Sequence, residues 1–158
     1  MPDANSLIIP ELAGLYRALA PWTYALLRAI VGLALVPHAL RNSFGFFPDT
    51  GQPLHSLKML AAYLDKQGYR PGWFFAPAIS ATQLICGPLI ALGLFTRPAT
   101  FPVVLFLLVS NAERWRVGRY FWNQLGMEYT LMWTIAALYV LVHGGGLYSL
   151  DHWLGGEF

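Results

Sequence analysis

The sequence predicts an all-α protein: a bundle of four transmembrane helices with short interfacial amphipathic helices, forming one integral membrane domain over residues 1–158. Three observations predict it. The chain is 56% hydrophobic and only 11% charged, whereas a soluble domain of ordinary composition carries about 25% charged residues. Its mean hydropathy is +0.48, so polar side chains are too few to cover an aqueous surface. At roughly 20 residues per crossing, 158 residues leave room for about four spans and short connections.

Taken in order, residues 7–19 place Leu12, Leu15, Tyr16 and Leu19 at helical spacing around Glu11 and Arg17. This segment is too short and too charged to cross, and reads as a short amphipathic helix lying at the interface. The first span is expected at about 21–40, with Trp22 and Tyr24 in the entry belt and Pro37 kinking its far end. The connection 41–72 contains Leu57, Leu60, Ala61 and Leu64 at helical spacing within 54–67, which predicts a surface helix packed on the membrane face or over the helix ends. A second span follows at 73–94, with Gly87 and Pro88 inside it, and a turn at 95–99 in which Pro98 disfavours helix at Arg97. The third span, 99–113, has a short apolar part. The fourth, 126–143, ends at the glycine triplet 144–146, and the closing residues 148–158 read as a second interfacial segment.

The formal charge of +2 is mild and its basic residues are scattered, which argues against a nucleic-acid partner and leaves the lipid bilayer as the primary one. Cys86 is the single cysteine, so no intrachain disulfide or CxxC couple forms. The first twenty residues include Asp3 and Glu11 and do not read as a cleaved signal peptide. Arg41, Lys58, Lys66, Arg70, Arg114, Arg116 and Arg119 fall on one side of the threaded spans, against Arg17 and Arg97 on the other, with Arg28 inside the first span. That bias predicts termini on the non-cytoplasmic side, as in a bacterial inner membrane.

The same threading gathers polar residues at one end. His38 and Arg41 close the first helix, Asn111 and Glu113 close the third, Glu128 opens the fourth, and Gln83 lies beneath them near mid-membrane. An ionised carboxylate costs about 2.5–3.5 kcal/mol on insertion scales unless it finds a boundary or a partner. Facing Arg41 or His38 across a bundle would lower that cost. This cluster is the candidate polar-ligand or proton site. Helix ends also carry such residues because headgroups and water solvate them, and Glu128 at a helix N-terminus is favoured by the macrodipole. Arg28, in the opposite half, is a secondary candidate: it either snorkels to the interface or faces the bundle and binds an anionic or carbonyl-bearing group.

Metal and haem are not expected, because His38, His55, His143 and His152 form no i,i+4 pair and His38 and His143 fall at opposite faces. No serine sits in a nucleophile elbow. Aromatics such as Trp73, Phe74, Phe75, Phe121, Trp122 and Trp133 serve as belt anchors or could sandwich a quinone or lipid tail.

Three stretches resemble the DoxX family of small four-helix membrane proteins: LLRAIVGLALVPHALRNSFGFF at 26–47, IALGLFTRPA at 90–99 and GMEYTLMWTIAALYVLVHGGGLYSLD at 126–151. The resemblance implies a four-helix membrane bundle and, for some relatives, quinone-dependent sulfur oxidation or membrane redox-stress complexes. His38, Arg28 and Glu128 match positions typical of the pattern, whereas an acidic residue is common where Gln83 stands. Two functions follow as expectations. One is a component of a quinone-linked membrane redox assembly, an accessory role in an oxidoreductase, with Arg41, His38 and Glu128 at the polar end. The other is a non-catalytic structural or assembly subunit among protein partners in a larger membrane complex. No inverted repeat between 21–94 and 99–143 points to transport.

Overall fold

In a computed structural model that describes residues 8–49 and 54–156, every regular element is helical. Residue 7 of the first amphipathic segment, residues 50–53 of the 41–72 connection and the last two residues lie outside the described residues.

A 3₁₀ turn, Pro10–Leu12, leads directly into α1, Ala13–Leu33, and α2, Leu35–Phe44, continues the rod. The interfacial helix expected at 7–19 is therefore not a separate element. Pro21 removes one donor without ending the helix, and Thr23 Oγ1 folds back onto the carbonyls of Leu19 and Ala20 at 3.1 and 3.0 Å. The break comes at Ala34. Pro37 has no N–H for the Leu33 carbonyl and its ring crowds that oxygen, so the rod bends one turn before the proline. α2 ends on Gly45, whose φ of 74° is the left-handed conformation a glycine adopts without penalty.

The surface helix α3 is Leu57–Lys66, capped by Ser56 Oγ, which accepts from Met59 N at 3.2 Å. It packs along α4, Gly72–Ala81, where Asp65 accepts from Gly72 N at 2.7 Å. A π turn at Thr82–Cys86 joins α4 to α5, Gly87–Leu92. Pro88 cannot donate to Leu84, and the widened turn absorbs the loss.

α6, Thr96–Val117, and α7, Met127–His143, pack extensively on each other. α8, Leu150–Trp153, is a single turn capped by Ser149. Two rods are long and apolar enough to cross a membrane, Pro10–Phe44 and Gly72–Leu92. The core runs between them and the α6/α7 pair, with Val31, Leu35, Ile90, Val103, Leu107, Ala137 and Val140 at its centre. Gly32 and Gly87 let α1 and α5 touch: a Cβ on Gly32 would meet backbone of Gly87 and Ala91.

The four rods alternate in direction. Residues 44–49, 54–57, 72 and 117–127 lie at one end, here the loop end. The start of α1, the turn 93–95 and residues 143–156 form the other, the terminal end.

Candidate functional site

At the loop end, a cavity of about 300 Å³ is lined by residues of α2, α6 and α7 together with Phe47, Trp122 and Leu125. Its basic groups are His38, Arg41 and Arg114, and Trp122, Tyr129 and Thr130 add polar atoms to the lining. Arg41 is buried, with Nε and Nη2 donating to Asn42 Oδ1 at 3.3 and 3.2 Å. Arg114 donates to the Leu125 carbonyl, which ties the end of α6 to the turn before α7. No described carboxylate lines the cavity. It presents hydrogen-bond donors set in an aromatic and aliphatic wall, a combination suited to an amphiphile with a carbonyl or anionic head.

The cluster read from the sequence is thus divided. His38 and Arg41 share the cavity. Asn111 stands directly behind its wall: Nδ2 donates to Thr134 Oγ1 at 2.6 Å and reaches the Thr130 carbonyl at 3.5 Å. Glu113 is turned toward α3, where its charge acts with burial to raise the Tyr63 phenol above its ordinary range, burial being the larger cause. Glu128 does not line the cavity; its Oε2 accepts from Trp122 N at 3.2 Å, holding the turn that supplies the cavity's indole. Gln83 is 3% exposed in the π turn, an element that packs on α2 and α6. Arg114 was visible in the sequence only as one of several loop charges, and no spacing distinguished it from Arg116 or Arg119.

Arg28, 2% exposed, belongs to a separate layer at the terminal end. It faces the bundle, donating from Nη1 to the carbonyls of Ile90 and Ala91 at 2.6 and 2.9 Å and from Nη2 to that of Tyr148 at 2.6 Å. Beside it Asp151, 1% exposed, accepts from Phe95 N at 2.7 Å, Thr96 N at 2.9 Å and Thr96 Oγ1 at 2.6 Å. It thereby caps α6 from a distant part of the chain, as a carboxylate at a helix N-terminus should. Those bonds also hold Phe95 at φ 48°, a conformation costing an aromatic residue about 1–2 kcal/mol. The closing segment from residue 148 is anchored to the bundle end through Asp151, with Trp153 and Leu154 exposed. The sequence signal for this was slight, a Ser-Leu-Asp run after three glycines.

The sequence model of the DoxX family matches residues 23–112, more than half of the chain. The chain belongs to the DoxX family. This DoxX protein is also 24% identical, over 152 residues, to an uncharacterized membrane protein of Mycobacterium tuberculosis, covering 90% of this chain and 87% of that one. No solved structure matches. Family, relative and the two crossing-length apolar helices make it a membrane protein. The match takes in Arg28, His38, Arg41, Gln83 and Asn111, and stops before Glu113, Arg114 and Glu128.

Proposed function

We propose that this DoxX protein is a single four-span membrane domain whose loop-end cavity holds a quinone head group, as a component of a membrane redox assembly. The reading places α6 and α7 in the bilayer beside the rods Pro10–Phe44 and Gly72–Leu92, with the loop end on the cytoplasmic face of a bacterial inner membrane. The observation that carries it is the pairing of Arg41 and Arg114 with His38 in a cavity otherwise built of Pro37, Phe47, Trp122, Leu125 and Tyr129.

The fit can be judged from the cavity itself. About 300 Å³ is the lower end of small-molecule pockets, enough for one substituted ring, with the tail leaving across the aromatic wall. Guanidinium groups only donate, which suits carbonyl oxygens. A quinone, when bound, supplies a carrier of two electrons and two protons. Arg41 and Arg114 would orient its oxygens, the His38 imidazole is a further lining group able to hydrogen-bond to them, and Glu128 positions Trp122.

The test is saturable quenching of tryptophan fluorescence by a short-chain benzoquinone in nanodiscs. Losing one hydrogen bond to a charged group, about 1.5–3 kcal/mol, should weaken binding by roughly tenfold or more in Arg41→Gln and in Arg114→Gln. Arg114 is only half-buried, so its variant should fold even if Arg41→Gln does not. Unchanged affinity in Arg114→Gln overturns the reading.

The second reading, a non-catalytic assembly subunit, is favoured by the lack of a described carboxylate lining the cavity. It predicts recovery from native membrane in a stoichiometric larger complex without extractable quinone.

A further inference from the structure

The two ends of the bundle satisfy their buried polar groups differently. In the terminal layer, Arg28, Asp151, Thr96, Thr100 and Ser149 bond to protein partners, and among the described residues only Nε of Arg28 is without one, in a guanidinium already donating three bonds. At and beneath the loop end, five buried side-chain atoms have no protein partner among the described residues: Nδ1 of His55, Oγ of Ser80, Oε1 of Gln83, Oδ1 of Asn111 and Oε2 of Glu113. Four of the five are oxygens.

These positions follow from the helices that carry them. Gly72, Ala76, Ser80, Gln83, Gly87 and Ile90 make one buried stripe along the α4–α5 rod. Ser80 and Gln83, 5% and 3% exposed, are its two polar members. The amide of Asn111 is fixed by its neighbours. Thr134 Oγ1 donates to the Thr130 carbonyl at 2.7 Å, so it must accept from Asn111 Nδ2, which leaves Oδ1 as the atom without a partner. At the helical rise, Glu113 lies about 6 Å and Asn111 about 9 Å from the loop end of α6, and Ser80 about 12 Å and Gln83 about 16 Å from the start of α4. The oxygens thus descend in steps from the rim toward mid-bundle.

Leaving an amide or hydroxyl oxygen unbonded in a bundle surrounded by hydrocarbon costs several kcal/mol. Apolar residues at 80 and 83 would avoid that cost, and the neighbouring stripe positions are apolar. The unpartnered amide oxygens of Gln83 and Asn111 only accept, and the Ser80 hydroxyl both donates and accepts, so a donor from outside the chain is called for. Asn111 touches the cavity wall through Thr130, which gives such a donor an entrance beside Arg114.

We propose that bound water occupies the loop-end half of the bundle as a hydrogen-bonded file, entering at the Arg114 side of the cavity and ending at Gln83. The Arg28–Asp151 layer closes the opposite end. Water, and protons moving along it, therefore reach mid-bundle from one side of the membrane only. Gln83 is the buried residue of the π turn at Thr82–Cys86, an element that packs on both α2 and α6. The proposal does not depend on what the cavity binds.

The experiment is single-cysteine labelling in lipid vesicles on a Cys86→Ser background, using a charged, membrane-impermeant methanethiosulfonate reagent. Only an ionised thiol in contact with water reacts. Gln83→Cys and Asn111→Cys should react from the loop-end side at least about 100-fold faster than the dry-core controls Ile90→Cys and Val103→Cys, and not from the other side. Gln83→Cys reacting as slowly as Ile90→Cys, or equally from both sides, overturns the proposal. Because a cysteine can loosen local packing, a density map of the unsubstituted protein in nanodiscs, at a resolution that shows ordered solvent, provides the second reading. Solvent peaks within hydrogen-bond distance of Gln83 Oε1 and Asn111 Oδ1 support the file. A dry interior, with these oxygens turned onto protein donors, overturns it whatever the labelling shows.

Discussion

Asp151→Ala tests how the chain closes its terminal end. The carboxylate is 1% exposed and accepts three hydrogen bonds, two from backbone N–H groups at the start of α6 and one from Thr96 Oγ1. Alanine leaves both N–H groups and the hydroxyl without an acceptor, removes the cap of a 22-residue helix and takes a negative charge from beside buried Arg28. Each unsatisfied buried group costs about 1–3 kcal/mol, but the three share one partner and their costs do not simply add. More than one such group but less than their full sum gives about 4 kcal/mol. In a chain of this size that lowers Tm by roughly 8–16 °C. Cys86, partly buried in the π turn, lets a thiol-reactive fluorophore report unfolding in detergent. His152→Ala, at an exposed side chain next to Asp151, should shift Tm by no more than about 2 °C. If Asp151→Ala melts with the His152 variant, Asp151 is not the cap that closes this end.

Two further outcomes follow from the packing. Gly32→Leu forces a side chain into the backbone of Gly87 and Ala91 at the α1–α5 crossing, an overpacking cost of more than about 3 kcal/mol, read as loss of folded protein by size-exclusion chromatography in detergent. Glu128→Gln, which alters one exposed bond to Trp122 N, should change stability by less than about 1 kcal/mol and leave quinone affinity within about threefold, by melting and fluorescence titration.

What could be read from the sequence was what depends on local pattern. Apolar windows located the rods, and the helical spacing of Leu57, Leu60 and Leu64 located α3. Pro37 announced its bend, which falls one turn earlier because the lost hydrogen bond belongs to the Leu33 carbonyl. Pro21 misled for the opposite reason: one missing donor did not stop a helix that packing carries through. Long-range contacts were hidden. Asp151 serves amides more than fifty positions away, and Arg28 finds its acceptors in Ile90, Ala91 and Tyr148; nothing near either residue in the chain names those partners. The polar cluster was legible as residues sharing one end, since alternating threading puts them there. Side-chain direction was not, so the division of His38 and Arg41 from Glu113, Glu128 and Gln83 emerged only with the packed helices.

The most direct measurement is photo-crosslinking of an azidobenzoquinone to the unsubstituted protein in lipid, followed by peptide mapping. Adducts confined to residues 37–47 and 114–130, and displaced by excess short-chain quinone, are the result expected of a head group held between Arg41 and Arg114. Adducts near Arg28 and residues 144–156, or spread along the lipid-facing surface without displacement, would contradict it.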